Sequence, residues 1–338
     1  MKEYEYCIFI GRFQPFHLAH KELLTEALKC AEKVIVVIGS HNKAPDIKNP
    51  WSAAERMQMI SSSLSKEDNA RVHPIFMRDY LYNDNLWITD LQQKVYDLTG
   101  GSDNVALIGH EHDHSSFYLK LFPQWILISR KNIDKYPHAT ELRRLYFTYD
   151  LEYKKHVTEE VADYLEAFKN TPTFLKLKDE FEFIKQYFTA WEGAPFPPTF
   201  VTVDSVVIKS GHVLVVRRRG NPGKGLIALP GGFLIQSEKI RFGAIRELKE
   251  ETGIKVSKED LDSAIIDQRV FDHPDRSLRG RTITHAFLIN LKSGPLPQVK
   301  GYDDADKAWW MPLSEFYTRE AEFFEDHWHI VSFFVNRF

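Results

Sequence analysis

The sequence predicts an α/β protein built as two domains, and three observations carry that prediction. The chain has 338 residues, room for about two domains at ~150 residues each. In the first half, short apolar runs that end in glycine alternate with segments of helical period, the pattern of a parallel sheet flanked by helices. Beyond a Pro-rich stretch at 192–199 the strand candidates become short and often alternating, which reads as a mixed α+β domain. The expected boundaries are 1–170 for the first domain, 171–199 for a helical and Pro-rich linker, and 200–338 for the second.

The elements follow in order. Residues 6–10 form an apolar strand ending at Gly11, and Leu23, Leu24, Ala27 and Leu28 put a helix over 20–32. A second strand, 34–38, runs into Gly39, and a third, 105–108, into Gly109 and His110. Helices are expected at 53–64, 86–98, 157–168 and 175–191. In the second half, strands are expected at 200–208, 212–218, 265–271 and 282–291, with a helix at about 238–252. Ligands of parallel α/β sheets bind outside the carboxyl ends of the strands, where Gly11, Gly39 and Gly109 lie.

Composition narrows the function classes. The net charge is −3, which argues against a globally basic nucleic-acid binder. No apolar run approaches the ~18 residues of a membrane span. The first residues lack the apolar stretch of a signal peptide. Cys7 and Cys30 are the only cysteines, too few for a disulfide framework or a Cys-based zinc site. A soluble cytoplasmic protein is expected, with no nucleic-acid or membrane partner. Oligomeric state is not legible.

The segment Gly11-Arg12-Phe13-Gln14-Pro15-Phe16-His17-Leu18-Ala19-His20 joins the first strand to the first helix. His17 and His20 are three apart and share a face at a helix start. Two imidazoles beside free backbone N–H groups suit a polyphosphate and can donate to charge building on a transferring phosphorus. A bare His-x-x-His is a weak signal; with Gly and Pro at these offsets after a strand it is a strong one. Arg56 and Arg143 can fork onto phosphates, and Trp87 can stack on a ring. Residues 110–114, His-Glu-His-Asp-His, read better as a polar active-site loop than as a metal site, with Ser115 and Ser116 beside it.

Gly-x-Phe-x-Pro-x-His-x-x-His resembles the signature of the nucleotidyltransferase superfamily, and Gly-Arg-Phe-Gln-Pro-Phe-His resembles its archaeal-type nicotinamide mononucleotide (NMN) adenylyltransferases. Ala19 stands where the His-x-Gly-His form has glycine. The likeness continues through Ser40, Asn49-Pro50-Trp51, Glu55-Arg56, Asp84-Asn85-Leu86-Trp87 and Ala139-Thr140-Glu141-Leu142-Arg143, the last without its usual first serine. It covers roughly 5–150. It implies a Rossmann-like nucleotidyltransferase domain. Gly11, Arg12, Phe13, His17, His20, Gly109, His110, Thr140 and Arg143 would face ATP. Ser40, Asn49, Trp51, Arg56, Asn85 and Trp87 would face NMN, and His17, His20 and Arg143 would be catalytic.

A second constellation runs from Gly232 through Glu238 to Arg246-Glu247-Leu248-Lys249-Glu250-Glu251-Thr252-Gly253-Ile254. Glu247, Glu250 and Glu251 share a helix face, and carboxylates so clustered call for a hard cation such as Mg²⁺, with Mn²⁺ an alternative. Such a cation activates water and neutralises a diphosphate. Glu238 is the expected partner of Arg246, Leu248 and Ile254 face the core, and Gly253 ends the helix. The bare acidic string would fit a solvated helix; the flanking spacings match the Nudix box at every fixed position. Arg217, Arg276, Arg279 and Arg281 are candidates to hold the substrate's phosphates. Val270 stands where ADP-ribose hydrolases of this family often carry proline.

The order of the two domains resembles a bifunctional bacterial family joining NMN adenylyl transfer to Nudix hydrolysis of ADP-ribose. That resemblance implies ATP, NMN, NAD and ADP-ribose as small-molecule partners and Glu250 as a further catalytic residue. Two alternatives stay open for the second domain: a non-catalytic ADP-ribose sensor, and a hydrolase of another nucleoside diphosphate derivative. For the first, another phosphate acceptor such as pantetheine phosphate is opposed by the segment Asp84–Trp87.

Overall fold

A computed structural model describes residues 2–110, 119–129 and 135–336. Most of the His-Glu-His-Asp-His loop, with Ser115 and Ser116, therefore lies outside the described residues. The chain divides into two units, Met1–Lys178 and Asp179–Phe338.

In the first unit the strands are β1 Tyr4–Gly11, β2 Ala31–His41, β3 Val72–Arg78, β4 Val105–Gly109 and β5 Ile126–Ser129. They form one sheet in the order β3-β2-β1-β4-β5, and every pairing is parallel. The helices are α1 Leu18–Cys30, α2 Ala53–Ser62, α3 Lys66–Asn69, α4 Asp84–Thr99, α5 Ala139–Phe147, α6 Glu159–Phe168 and the first residues of α7 Pro172–Thr189. Central β1 is buried on both faces, as a near-continuous apolar strand should be. Tyr6 and Ile8 pack with Leu91 and Val95 of α4. Cys7 points the other way and meets Cys30 at the end of α1. Each such fully buried aliphatic side chain stabilises the unit by ~1.5–3 kcal/mol.

The sequence reading missed β3, β5 and, in the second unit, the short strands at 227–228 and 231–233 and the last strand. Pro74 interrupts β3, and proline is tolerated because that strand is an edge. β5 is a short edge strand, half-exposed along its length. The first helix ends at Cys30 rather than 32, because residues 31–33 already pair with β1.

The second unit holds β6 Phe200–Lys209, β7 His212–Arg218, β8 Ile227–Ala228, β9 Gly231–Phe233, β10 Ile265–Phe271, β11 Thr282–Asn290 and β12 Ala305–Pro312. Its helices are α8 Ile240–Thr252, α9 Lys258–Ser263, α10 Leu313–Phe316 and α11 His327–Val335. The sheet is mixed: β6 pairs parallel with β11, while its pairings with β7 and β9 are antiparallel. Ala244, Ile245 and Leu248 of α8 pack on Val203, Val207, Leu214, Phe287 and Ile289, which leaves Glu250 exposed, Glu247 half-buried and Glu251 buried beside the core. Gly253, at φ +53°, caps α8 in the left-handed conformation that favours glycine. Among the described residues, no helix is long and apolar enough to cross a membrane.

Candidate functional sites

The first site gathers at the carboxyl ends of β1, β2 and β4. Gly11 closes β1 because Phe13 folds back over it: a Cβ at Gly11 would stand 2.7 Å from the Phe13 ring. His17 precedes α1 and His20 lies in its first turn, their rings stacked with centroids 3.7 Å apart. Phe9, Phe13 and Phe16 enclose His20. Burial pushes the His17 imidazole down to about 3 and that of His20 well below its ordinary value. Both rings are therefore neutral at pH 7. His17 Nδ1 is buried and has no hydrogen-bond partner among the described residues. An unpaired buried nitrogen costs roughly 1–3 kcal/mol unless a ligand satisfies it.

Arg143 lies close enough to His17 to disfavour its protonation. Arg143, on α5, donates to the Gln14 carbonyl at 2.7 Å and to the Thr140 hydroxyl at 3.2 Å. Burial, then the charge of Arg12, lowers its pKa to about 10. Arg12 is exposed. Lys43, which sequence reasoning missed, pairs with Asp46 at 3.2 Å, and Asp46 in turn accepts from the Asn49 backbone and side chain. Nothing local in the sequence marks Lys43; only the turn to Asp46 does.

Two expected ligand residues have other employment. The Arg56 guanidinium is spent on the carbonyls of Arg12, Gly39, Ser40 and Ser52 at 2.7–3.2 Å, and the residue is 1% exposed. It supports the loops around the site instead of presenting a fork to phosphate. Trp51 is likewise 1% exposed and packs on Tyr146 and Phe168. Gln14 holds its backbone from both sides at 2.8 and 3.2 Å. Ser40, on a left-handed backbone, donates to Asp79. Asn85 stands exposed in the first turn of α4, and Trp87, half-buried, leans on Phe122. Gly109 ends β4 against Leu119, with His110 next to it.

The second site is built on α8. Arg246 binds both oxygens of Glu238 at 2.6 and 3.0 Å, and one nitrogen also reaches Glu247 and Glu250 at 2.8 Å. Its pKa is raised, first by Glu238. Glu250 is exposed, Glu247 half-buried and Glu251 buried. Burial raises the pKa of Glu247, and pushes that of Glu251 up to about 8 although the Gly231 N–H donates to it at 3.0 Å. Carboxylates that resist ionising until neutralised fit a hard divalent cation. Among the described residues, no three acidic or histidine side chains already converge on a cation position. The glycines before the box allow close approach. A Cβ at Gly232 would meet the Glu247 carboxylate at 2.7 Å, and one at Gly231 the Val203 carbonyl at 2.2 Å.

The four candidate arginines do not share one fate. Arg279 lies over the Phe233 ring at 4.9 Å, 4.0 Å from Glu325. Arg217 lies over Trp309 and donates to the Gly225 carbonyl. Arg281 pairs with Asp272. Arg276, by contrast, is 4% exposed and gives its fork to Asp326 at 2.8 and 2.9 Å. A guanidinium saturated by a buried carboxylate has no fork left for a phosphate, so the expected substrate contact is corrected to an internal ion pair. Asp326, fifty residues away in sequence, offered no signal.

Comparison with known proteins covers both halves. The cytidylyltransferase-like family matches residues 8–154 and the NUDIX domain family residues 198–334. A nicotinamide/nicotinic acid mononucleotide adenylyltransferase of Acinetobacter baylyi is 35% identical over 54% of this chain and 95% of its own. An ADP-ribose pyrophosphatase of Methanocaldococcus jannaschii is 35% identical over 37% of this chain and 61% of its own. The crystal structure of a bifunctional NMN adenylyltransferase/ADP ribose pyrophosphatase from Francisella tularensis, complexed with AMP and a manganese ion, superposes with a TM-score of 0.93. It is 37% identical and covers 99% of both chains.

Proposed function

The chain belongs to the family of bifunctional NMN adenylyltransferase/ADP-ribose pyrophosphatases, and from that premise we infer that it carries out both reactions. The first unit transfers the adenylyl group of ATP to NMN, giving NAD and pyrophosphate. The second hydrolyses ADP-ribose to AMP and ribose 5-phosphate with a divalent cation. The observation that carries this reading is the likeness over 99% of both chains, which spans both motifs. Its partners are small molecules.

In the first reaction a phosphate oxygen of NMN attacks the α-phosphorus of ATP, and the bond to the pyrophosphate oxygen breaks. No protein nucleophile is needed; positioning and charge stabilisation suffice. We assign that stabilisation to His17 and His20, as neutral donors, and to Arg143. Gly11, Arg12, Phe13, Gly109, His110 and Thr140 complete the ATP side. Ser40, Asn49, Asn85 and Trp87 take the NMN side, with Trp51 and Arg56 supporting its loop.

In the second reaction Glu247, Glu250 and Glu251 would hold the cation, which we take to be Mg²⁺ with Mn²⁺ an alternative. When bound, it supplies an activated water and neutralises the diphosphate. Arg217, Arg279 and Arg281 would hold the phosphates. The nucleotide substrates, and two cysteines that form no disulfide, support a cytoplasmic setting.

One preparation tests both reactions: NAD formation from ATP and NMN, and AMP release from ADP-ribose with Mg²⁺. Both products are expected. NAD without AMP across a range of cations would overturn the hydrolase assignment, and AMP without NAD the transferase assignment.

A further inference from the structure

The stretch from residue 313 to the chain end carries no motif, and its helix α11 reads as ordinary packing. Its first residues are not ordinary. Asp326 and His327 are buried charged or polar groups at 0% and 6% exposure. His327 Nδ1 accepts the Leu229 N–H at 2.8 Å. One step earlier, Phe324 N–H donates to the Ile227 carbonyl at 2.8 Å, and Phe323 bridges Ile227 in parallel. The segment Ile227–Gly232, which leads into the Nudix box, is thus sewn to the chain's last helix.

The ring's state follows from the geometry. A nitrogen that accepts an N–H carries no proton, so the proton sits on Nε2, 3.9 Å from Asp204. Asp204 is held from its other side by the Thr284 hydroxyl. It lies opposite Gly231 across β6 and β9. Arg276, locked to Asp326, lies 3.9 Å from the same Asp204 carboxylate. Gly231 has no room to shift toward β6, since even a Cβ there would stand 2.5 Å from Asp204 Oδ1. Its N–H is the group that holds Glu251.

We propose that His327, backed by the Arg276–Asp326 pair, is a positioning residue that clamps Leu229–Gly232, so that the Gly231 N–H aims Glu251 at the cation. The proposal rests on the hydrolase reading of the second unit and deepens it. The last helix becomes part of the hydrolase site. The ion pair serves by fixing the loop, a role in which losing either partner leaves an uncompensated buried charge. The clamp touches neither the substrate nor the cation, so it acts on cation affinity and turnover and spares substrate binding.

The test uses the full chain and two readouts: Mn²⁺ affinity by spin-resonance titration, and steady-state hydrolysis of ADP-ribose. His327→Leu removes the acceptor. Outer-shell supports of metal ligands are typically worth about 10- to 100-fold, so Mn²⁺ affinity and kcat should each fall by roughly that factor while KM for ADP-ribose stays within about twofold. His327→Asn keeps an acceptor at the δ position and should recover most of both. NAD synthesis by the same preparations should be unchanged. Wild-type Mn²⁺ affinity and kcat in His327→Leu would overturn the clamp, as would equal losses in the Asn and Leu variants. Should the Leu variant not fold, Arg276→Lys, which keeps the charge and loses the fork, takes its place with a loss of about tenfold expected; wild-type values there overturn the proposal. A wild-type protein that binds Mn²⁺ but releases no AMP defeats the substrate reading instead, and the Mn²⁺ titration still decides the clamp.

Discussion

The two sites manage the charge of phosphates in opposite ways. The site at β1 and α1 sets Arg143 beside two imidazoles that burial keeps neutral, with Arg12 near Arg143. Its positive charge is part of the protein before a nucleotide arrives. The site on α8 presents Glu247, Glu250 and Glu251, acidic groups for a negative substrate, and burial holds Glu247 and Glu251 back from ionising. Only a cation can reconcile the two, and until one is bound Arg246 occupies two of the three carboxylates. In the mechanism proposed above, transition-state stabilisation is built into side chains in one unit and delegated to a bound ion in the other.

That contrast breaks most visibly if each site is disarmed alone. Glu250→Gln removes a charge from the carboxylate cluster without changing its shape, and should cut ADP-ribose hydrolysis by at least about 100-fold, with NAD synthesis unchanged. Retained hydrolysis would mean that the cation is held elsewhere. His20→Ala is the mirror experiment. Loss of one donor to developing charge is typically worth about 100-fold in kcat, so NAD synthesis should fall by roughly that factor with KM for ATP little altered and hydrolysis intact. A rise in KM at constant kcat would reassign His20 to ground-state binding.

A milder variant sharpens the second site. Gly232→Ala pushes a methyl against the Glu247 carboxylate, 2.7 Å away. Glu247 must swing or the loop must move, and such overpacking costs about 1–3 kcal/mol. Hydrolysis should fall by about tenfold through weaker cation affinity, so that raising the metal concentration restores it. A loss that metal does not restore would place the damage in the loop and not in the carboxylate.

How much was legible follows from the range of each interaction. His17 and His20 lie three residues apart, and Glu247, Glu250 and Glu251 lie within one helix, so their chemistry shows in the string. Strands β1 and β2, buried on both faces, announced themselves as apolar runs; β3, carrying Pro74 at the sheet edge, did not. The arginines divide in the same way. Arg246 meets Glu238 within eight residues and was paired from spacing alone. Arg56 and Arg276 are spent on carbonyls and a carboxylate up to 50 residues distant, and their sequence context resembled that of a phosphate-binding fork. Tertiary pairing, invisible to spacing, decides which arginines remain for ligands.

The smallest expected effect tests the neutrality of the imidazoles. The unfolded chain takes up protons near the ordinary histidine value of about 6.5, whereas folded His17 waits until about 3. Stability is whole above pH 6.5 and drains as the pH falls toward 3, because only the unfolded state binds the proton in that window. The slope for one such group approaches but does not exceed ~1.4 kcal/mol per pH unit. His17→Asn cannot take up that proton. Between pH 6.5 and 5.5 its unfolding free energy, read by hydrogen exchange of β1 and α1 amides in the full chain, should therefore fall about 1 kcal/mol less than that of the parent. Equal slopes would mean that His17 is protonated in the folded state at those pH values. The first site would then hold one more positive charge than its burial allows, and the contrast between the two units would narrow to the carboxylates alone.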